Sequence, residues 1–326
     1  MVPSRNASDL PGDRGITRAP APWAFTPQLL HEGQWTTQAA IRYCTLFAEA
    51  HYENFPVTSA LLRRPQRQAL AAIYAFSRSA DDFADEPEFQ GQRDALLDTW
   101  EDQLRRAFDG YAVHPVFIAL VEAIHRFGLS MEPFLALIDA FRQDCHKDRY
   151  ATFDEVLDYC RRSADPVGRI VLKVLGLGTP QQVEWSDRIC TALQLTNFWQ
   201  DLSVDLARNR LYLPLADLER FQIPVESIFH SPSLPAFGKL LSLEIDRTRQ
   251  LFEEGRPLLA SAGYPGGLYF GTVWLGGKTV LKMVEEAGTS ILSCRPALGP
   301  IAVGKVFARA GLRNISRLAE VKRWTR

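Results

Sequence analysis

Two acidic runs at helical spacing constrain this chain more than anything else in it. Asn197, Asp201 and Asp205 follow one another at intervals of four with apolar residues between them, so on an α-helix their side chains share one stripe. Asp81 and Asp85 repeat the pattern within Ala72–Glu86, where Asp82 and Glu86 lie beside them. Carboxylates this close repel one another and resist burial unless a cation lies among them. Hard oxygen ligands select Mg²⁺ or a similar ion, and Mg²⁺ keeps several waters and leans on phosphate oxygens. The rows therefore point to a metal-bridged diphosphate between two helices of a bundle rather than to a closed metal cage. Either row alone is better explained by a solvated helix face or a helix end. Together, each flanked by apolar residues and followed by basic ones, they favour a metal-diphosphate site.

The remaining composition fits such a core. The chain has 326 residues, 46% hydrophobic and 23% charged, with a formal net charge of −1, which is ordinary for a globular protein and leaves no basic footprint for nucleic acid. Five cysteines (Cys44, Cys145, Cys160, Cys190, Cys294) are scattered, odd in number and free of Cys-x-x-Cys spacing, so reduced thiols in a cytosol are expected rather than a disulfide framework or a zinc site. Met1 to Pro22 lacks an apolar run; it is expected to be no secretory signal, and residues 1–25 a disordered tail. The longest uncharged stretch, Pro257–Gly277, contains two prolines and several glycines and runs directly into Lys278, which favours a buried or surface-lying helix pair over a membrane span.

Helix signals dominate the rest. Thr26-Pro27 opens a helix running with interruptions towards Ala50, Pro65 begins the helix of the first acidic row, and Pro87 ends or bends it. Helical apolar spacing continues over Asp94–Phe108, Pro115–Phe127 and Ser130–Cys145. Thr152-Phe-Asp-Glu155 reads as a capping box leading into Val156–Val174, and Gly176-Leu-Gly178 closes that helix. Thr179-Pro-Gln-Gln182 starts the helix of the second row, which Leu211–Pro214 stops. A looser segment to Pro235 precedes helical stretches over Lys239–Leu259, Gly266–Ala287 and Pro300–Trp324. With no alternating run of strand length, repeat or linker, residues 26–326 read as a single all-α bundle. Gly176-Leu-Gly178 lacks a third Gly and follows a helix, so it is no dinucleotide fingerprint; no phosphate loop, nucleophile elbow or metalloprotease histidine pair is present.

From about Ala50 to Glu286 the order and spacing of these motifs resemble the squalene/phytoene synthase family. Tyr74, Arg78 and the Asp81…Asp85 pair look like the family's first aspartate helix. Gln194, Asn197, Asp201 and Asp205, followed by Arg210, Tyr212, Leu213 and Pro214, look like its second, and Tyr159-Cys160 with Val167-Gly168 falls where the family lines its isoprenoid tunnel. The resemblance implies an all-α, class I isoprenoid synthase bundle around an apolar cavity. Three spellings are most similar to the hydroxysqualene-forming branch of bacterial hopanoid synthesis: His51-Tyr-Glu-Asn-Phe-Pro56, Tyr159-Cys-Arg-Arg-Ser-Ala-Asp-Pro-Val-Gly168 and Asn197-Phe-Trp-Gln-Asp201. Condensing members typically carry Arg where this chain has Gln200. Losing that permanent, bidentate charge suits an enzyme that holds one diphosphate rather than two.

The resemblance implies roles that the residues themselves permit. Asp81, Asp85, Asn197, Asp201 and Asp205 would bind Mg²⁺, or Mn²⁺, directly or through water, and carry catalysis; Asp82 and Glu86 are expected nearby without direct ligation. Arg78 and Arg210 would bind diphosphate oxygens or pair with the acidic rows. Tyr74, Tyr159 and Tyr212 would face phosphate or a carbocation, although a single tyrosine in an apolar helix is more often core. His51, Asn54, Gln194 and Gln200 complete the polar contacts, while Phe55, Val167, Gly168 and Leu193 would line the tunnel. Capture of the cation needs one held water, for which Glu53, Gln200 and Asp165 are polar candidates. The expected reaction is ionisation of presqualene diphosphate and water capture to hydroxysqualene, without NAD(P)H. Expected partners are the isoprenoid diphosphate, a bilayer surface touched peripherally from the cytoplasm, and other enzymes of the hopanoid pathway. The alternatives are a head-to-head condensing prenyltransferase and a non-catalytic helical scaffold.

Overall fold

The computed structural model describes residues 35–50, 61–230 and 235–296, and every described element of length is helical. Its helices are α1 (Thr37–Ala50), α2 (Arg64–Asp85), α3 (Arg93–Phe108), α4 (Pro115–Phe127), α5 (Glu132–Asp144), α6 (Phe153–Ser163), α7 (Asp165–Val174), α8 (Pro180–Gln200), α9 (Leu202–Ala207), α10 (Leu215–Arg220), α11 (Val225–His230), α12 (Phe237–Gly255), α13 (Leu258–Ser261) and α14 (Gly263–Ala287). The expected all-α class is what the chain adopts; among the described residues the only β feature is an isolated bridge between Arg149 and Leu211. The proposed tail, the Thr26-Pro27 helix start and the Pro300–Trp324 helix lie outside the described residues.

Two compact units divide the chain, one formed by residues up to Cys145 with Ile170–Gly176, the other by His146–Arg169 and the residues from Leu177 on. In the first, α2 packs against α1, α3, α4 and α5. Trp100 of α3 is fully buried there: its ring lies 4.5 Å from Phe117 and 6.0 Å from Phe76, and its Nε1 donates to the Phe76 carbonyl at 3.2 Å. That indole hydrogen bond is what allows so large a partly polar side chain at the centre. His114 caps α4, accepting from the Val116 amide through Nδ1 at 3.3 Å, and burial pushes its imidazole down to about 3, so it is neutral.

In the second unit α8 is the central element, packed on α12, α14, α6 and α13. Glycine permits two of these approaches. A Cβ on Gly255 would lie 2.5 Å from Ile189 Cγ1 and 2.7 Å from the Trp185 carbonyl oxygen, and one on Gly277 2.4 Å from Leu193 Cδ2. The capping box at Thr179 is complete: Thr179 Oγ1 accepts from the Gln182 amide at 3.3 Å and Gln182 Oε1 from the Thr179 amide at 3.1 Å. The box at Thr152 is half-formed. Thr152 Oγ1 accepts from the Glu155 amide at 3.3 Å, but the Glu155 carboxylate takes Lys147 Nζ at 2.9 Å and the Ala151 amide at 3.0 Å instead.

The structure revises two readings and agrees with a third. The helix expected over Val156–Val174 is two helices, broken at Ala164, whose amide still bonds the Cys160 carbonyl before Asp165-Pro166 turns the chain. The segment read as loose up to Pro235 contains α10 and α11. The stretch after Pro257 forms α13 and α14, and among the described residues no helix is long and apolar enough to cross a membrane.

Candidate active site

The first acidic row occupies the last turns of α2. Arg78 spans it, with Nη2 2.7 Å from Asp82 Oδ1 and Nη1 3.4 Å from Asp81 Oδ2. This makes Asp82, at 1% exposure, the buried counter-ion of Arg78. Asp81 and Asp85 are only partly buried. Enclosure by protein pushes the Asp81 carboxyl up to about 7; the Asp85 charge adds to this, Arg78 opposes it, and Asp82 and Asp144 add smaller repulsions. A carboxyl so crowded gains by taking a cation, and the donor set is all oxygen, which suits a hard divalent ion. Tyr74, one turn before Arg78, is half-buried with its ring 6.4 Å from Phe47.

The second row straddles a break in helical geometry. α8 ends at Gln200, Asp201 adopts φ −94° and ψ 8°, and α9 resumes at Leu202. The expected single helix is thus two, yet the four-residue ladder passes through the break: the Asp201 amide donates to the Asn197 carbonyl at 2.8 Å and the Asp205 amide to the Asp201 carbonyl at 2.9 Å. Asn197, Asp201 and Asp205 are each half-buried. Arg295 grips Asp201 with both ends of its guanidinium, Nε on Oδ1 and Nη2 on Oδ2 at 3.4 Å. Next to it, Gln200 is 8% exposed and donates through Nε2 to the Pro296 carbonyl at 2.8 Å. Within either unit no three His, Cys, Asp or Glu side chains form a ready-made ion cage among the described residues. The rows fit an ion that completes its coordination with phosphate and water.

Other expected site residues fall into two groups. Tyr159 and Tyr212 are 4% and 5% exposed and belong to an aromatic stack: the Phe198 and Tyr212 rings are parallel with centroids 3.7 Å apart, and Tyr150 joins at 5.4 Å from Tyr212. Their rings are core first. Gly168 is buried where a Cβ would lie 2.4 Å from Ser186 Oγ and 2.6 Å from Cys190 Sγ, so it lets α7 approach α8, and Val167 beside it is half-buried. Leu193, Gln194 and Arg210 are half-buried as well. Asp165, 3% exposed, accepts from Thr191 Oγ1 at 2.8 Å, and burial, reinforced by the Asp187 charge, pushes it up to about 7. His51, Glu53, Asn54 and Phe55 lie outside the described residues.

Arg295 is the residue that sequence reasoning missed. It stands 94 positions from Asp201 between Cys294 and Pro296, with no periodicity or motif around it, so only the tertiary structure reveals the pair.

Helices that carry two such rows define an isoprenoid synthase fold, and the comparisons with known proteins agree. A sequence profile described as squalene/phytoene synthase matches residues 48–301; the chain belongs to the squalene/phytoene synthase family. Within it, the chain is 36% identical over 254 residues to a hydroxysqualene synthase from Rhodopseudomonas palustris, covering 76% of this chain and 84% of that one. It is 32% identical over 279 residues to a 15-cis-phytoene synthase from a Synechocystis strain, covering 80% and 81%. The crystal structure of squalene synthase HpnC from Alicyclobacillus acidocaldarius superposes with a TM-score of 0.73 at 40% identity, covering 77% of this chain and 95% of that chain. A dehydrosqualene synthase at 22% identity shares the fold, with a TM-score of 0.78.

Proposed function

We propose that the chain is a hydroxysqualene synthase of the hopanoid type. Its substrate would carry one diphosphate, that of presqualene diphosphate. The C–O bond breaks with its electron pair leaving on the diphosphate, the cyclopropylcarbinyl cation rearranges, and a water oxygen bonds to carbon and sheds a proton to give hydroxysqualene. No reductant is consumed, so no NAD(P)H is required. Asp81 and Asp85 on α2, with Asn197, Asp201 and Asp205, would hold Mg²⁺ or Mn²⁺. When bound, such ions draw negative charge onto the departing group. Arg78, Arg210 and Arg295 add fixed positive charge around the carboxylates, and the buried apolar side chains keep bulk water from the cation.

The observation that carries this reading is Gln200. It stands directly before Asp201, brings no charge, and commits its amide to the Pro296 carbonyl, so this position offers nothing to neutralise a second diphosphate. The similarity to a hydroxysqualene synthase supports the same branch. The likeness to phytoene synthases favours a second reading, head-to-head condensation of two prenyl diphosphates. Incubation of purified protein with Mg²⁺ and either presqualene diphosphate or farnesyl diphosphate separates them: hydroxysqualene from the first and no product from the second is expected, and product from farnesyl diphosphate alone overturns the reading. A lipophilic substrate also implies peripheral contact with the cytoplasmic face of a bilayer, and exchange with other enzymes of the pathway.

A further inference from the structure

The turn between α9 and α10 carries Arg210 and is held from outside by the segment 148–151, whose Asp148 Oδ2 accepts from Asn209 Nδ2 at 3.4 Å. Residues 148–151 run parallel to it: the Leu211 amide donates to the Asp148 carbonyl, and the Leu215 and Ala216 amides to the Tyr150 and Ala151 carbonyls, each at 2.9 Å. From the middle of this segment the Arg149 guanidinium doubles back. Its Nη1 donates to the Asn209 carbonyl at 2.5 Å and the Asp148 carbonyl at 2.8 Å, and its Nη2 to Asn209 Oδ1 at 2.8 Å. The guanidinium carbon lies 4.7 Å from the Phe229 ring centroid, which fixes its plane. Asn209 has φ +57°, a left-handed backbone that Asn adopts more readily than other residues with a Cβ, and the Arg149 contacts hold it there. On the other side of the turn, the Arg208 and Arg210 amides both donate to the Asp205 carbonyl, at 3.0 and 2.8 Å.

We infer that Arg149 is a positioning residue for the diphosphate site. By capping Asn209 it locks the left-handed turn, and so fixes Arg210 relative to Asp205. The inference rests on the function proposed above only in taking Arg210 and Asp205 as groups that meet a diphosphate. The planar fork of an arginine is needed, because three acceptors are engaged by one side chain stacked on a ring; a lysine ammonium has neither the plane nor the reach to two nitrogens' worth of partners.

The test uses the full chain with three variants, Arg149→Ala, Arg149→Lys and Asn209→Gly. Calorimetry measures binding of inorganic diphosphate in the presence of Mg²⁺, kinetics with presqualene diphosphate separate kcat from KM, and thermal melting reports folding. Arg149→Ala is expected to weaken diphosphate binding and raise KM about tenfold, with Arg149→Lys recovering only part of the loss. Asn209→Gly keeps the carbonyl that Arg149 caps and accepts the positive φ freely but loses the Oδ1 acceptor of Arg149 Nη2, so it is expected to weaken binding less than Arg149→Ala does. A merely structural role would lower the melting temperature and leave diphosphate affinity of the folded protein unchanged; that result overturns the inference. Should Arg149→Ala fail to fold, a folded Arg149→Lys that binds diphosphate like the parent overturns it equally. Parent protein that does not turn over presqualene diphosphate, combined with weakened binding in Arg149→Ala, overturns the reaction and supports Arg149.

Discussion

The two acidic rows achieve charge balance differently. On α2 the balance is local: Arg78, 37% exposed, reaches Asp81 and Asp82 from three and four residues away, and Asp82 is fully buried at 1%. At the α8–α9 break the counter-charge comes from Arg295, with Asp201 32% and Arg295 41% exposed. A pair whose carboxylate is fully buried is costly to break, whereas a pair exposed at both ends can open and reform cheaply. The first row's buried carboxylate is thus tied to its own helix, and the second row's Asp201 is held by an exposed long-range pair.

The largest expected effect tests whether the rows share one task. Asp81→Asn and Asp201→Asn should each lower turnover roughly a hundredfold to a thousandfold while leaving the far-ultraviolet circular dichroism unchanged; loss in one variant only would break the comparison. Next, Arg78→Ala leaves Asp82 buried beside no cation from its own helix, and should destabilise the protein by about 3 kcal/mol or more in urea unfolding.

A third probe concerns a buried carboxyl in the second unit. Glu244 is fully buried, with Oε1 2.9 Å from Arg247 Nη1, while Arg247 also binds both oxygens of Asp217. Burial, opposed by Arg247 and reinforced by the Asp217 charge, pushes Glu244 up to about 8. The folded chain therefore holds a proton that the unfolded chain releases near the ordinary value of 4.5. Stability falls as pH rises from there to about 8, by up to about 1.4 kcal/mol per pH unit. Glu244→Gln should flatten that slope, so its melting temperature gains on the parent between about pH 5 and about pH 8; parallel melting curves would contradict it. The smallest effect is expected at Arg295→Ala, below about 1 kcal/mol in unfolding, against a clear loss of diphosphate affinity.

Much of this was readable beforehand where the signal is local. The Pro115–Phe127 helix has the bounds that its apolar spacing predicts, and Thr179 caps α8 through the Gln182 partner three residues on. Breaks were harder. Ala164 and Asp201 interrupt helices whose apolar pattern runs on, because periodicity reports which face is buried and says little about a single residue's dihedral angles. The aromatic packing was also not legible, for a physical reason: Tyr159 and Tyr212 pack on Phe198 and Tyr150, which are distant in sequence or spaced unlike a helical stripe.

What the sequence determined by itself is the helical class, the family and the oxygen-rich rows, since helix periodicity and ligand chemistry depend on residues within a turn or two of one another. What only the tertiary structure decided is which cation meets which carboxylate over long range. Arg295 reaches Asp201 across 94 positions and Arg149 clasps Asn209 across 60. Such pairings are set by how helices stack, and no interval along the chain records them.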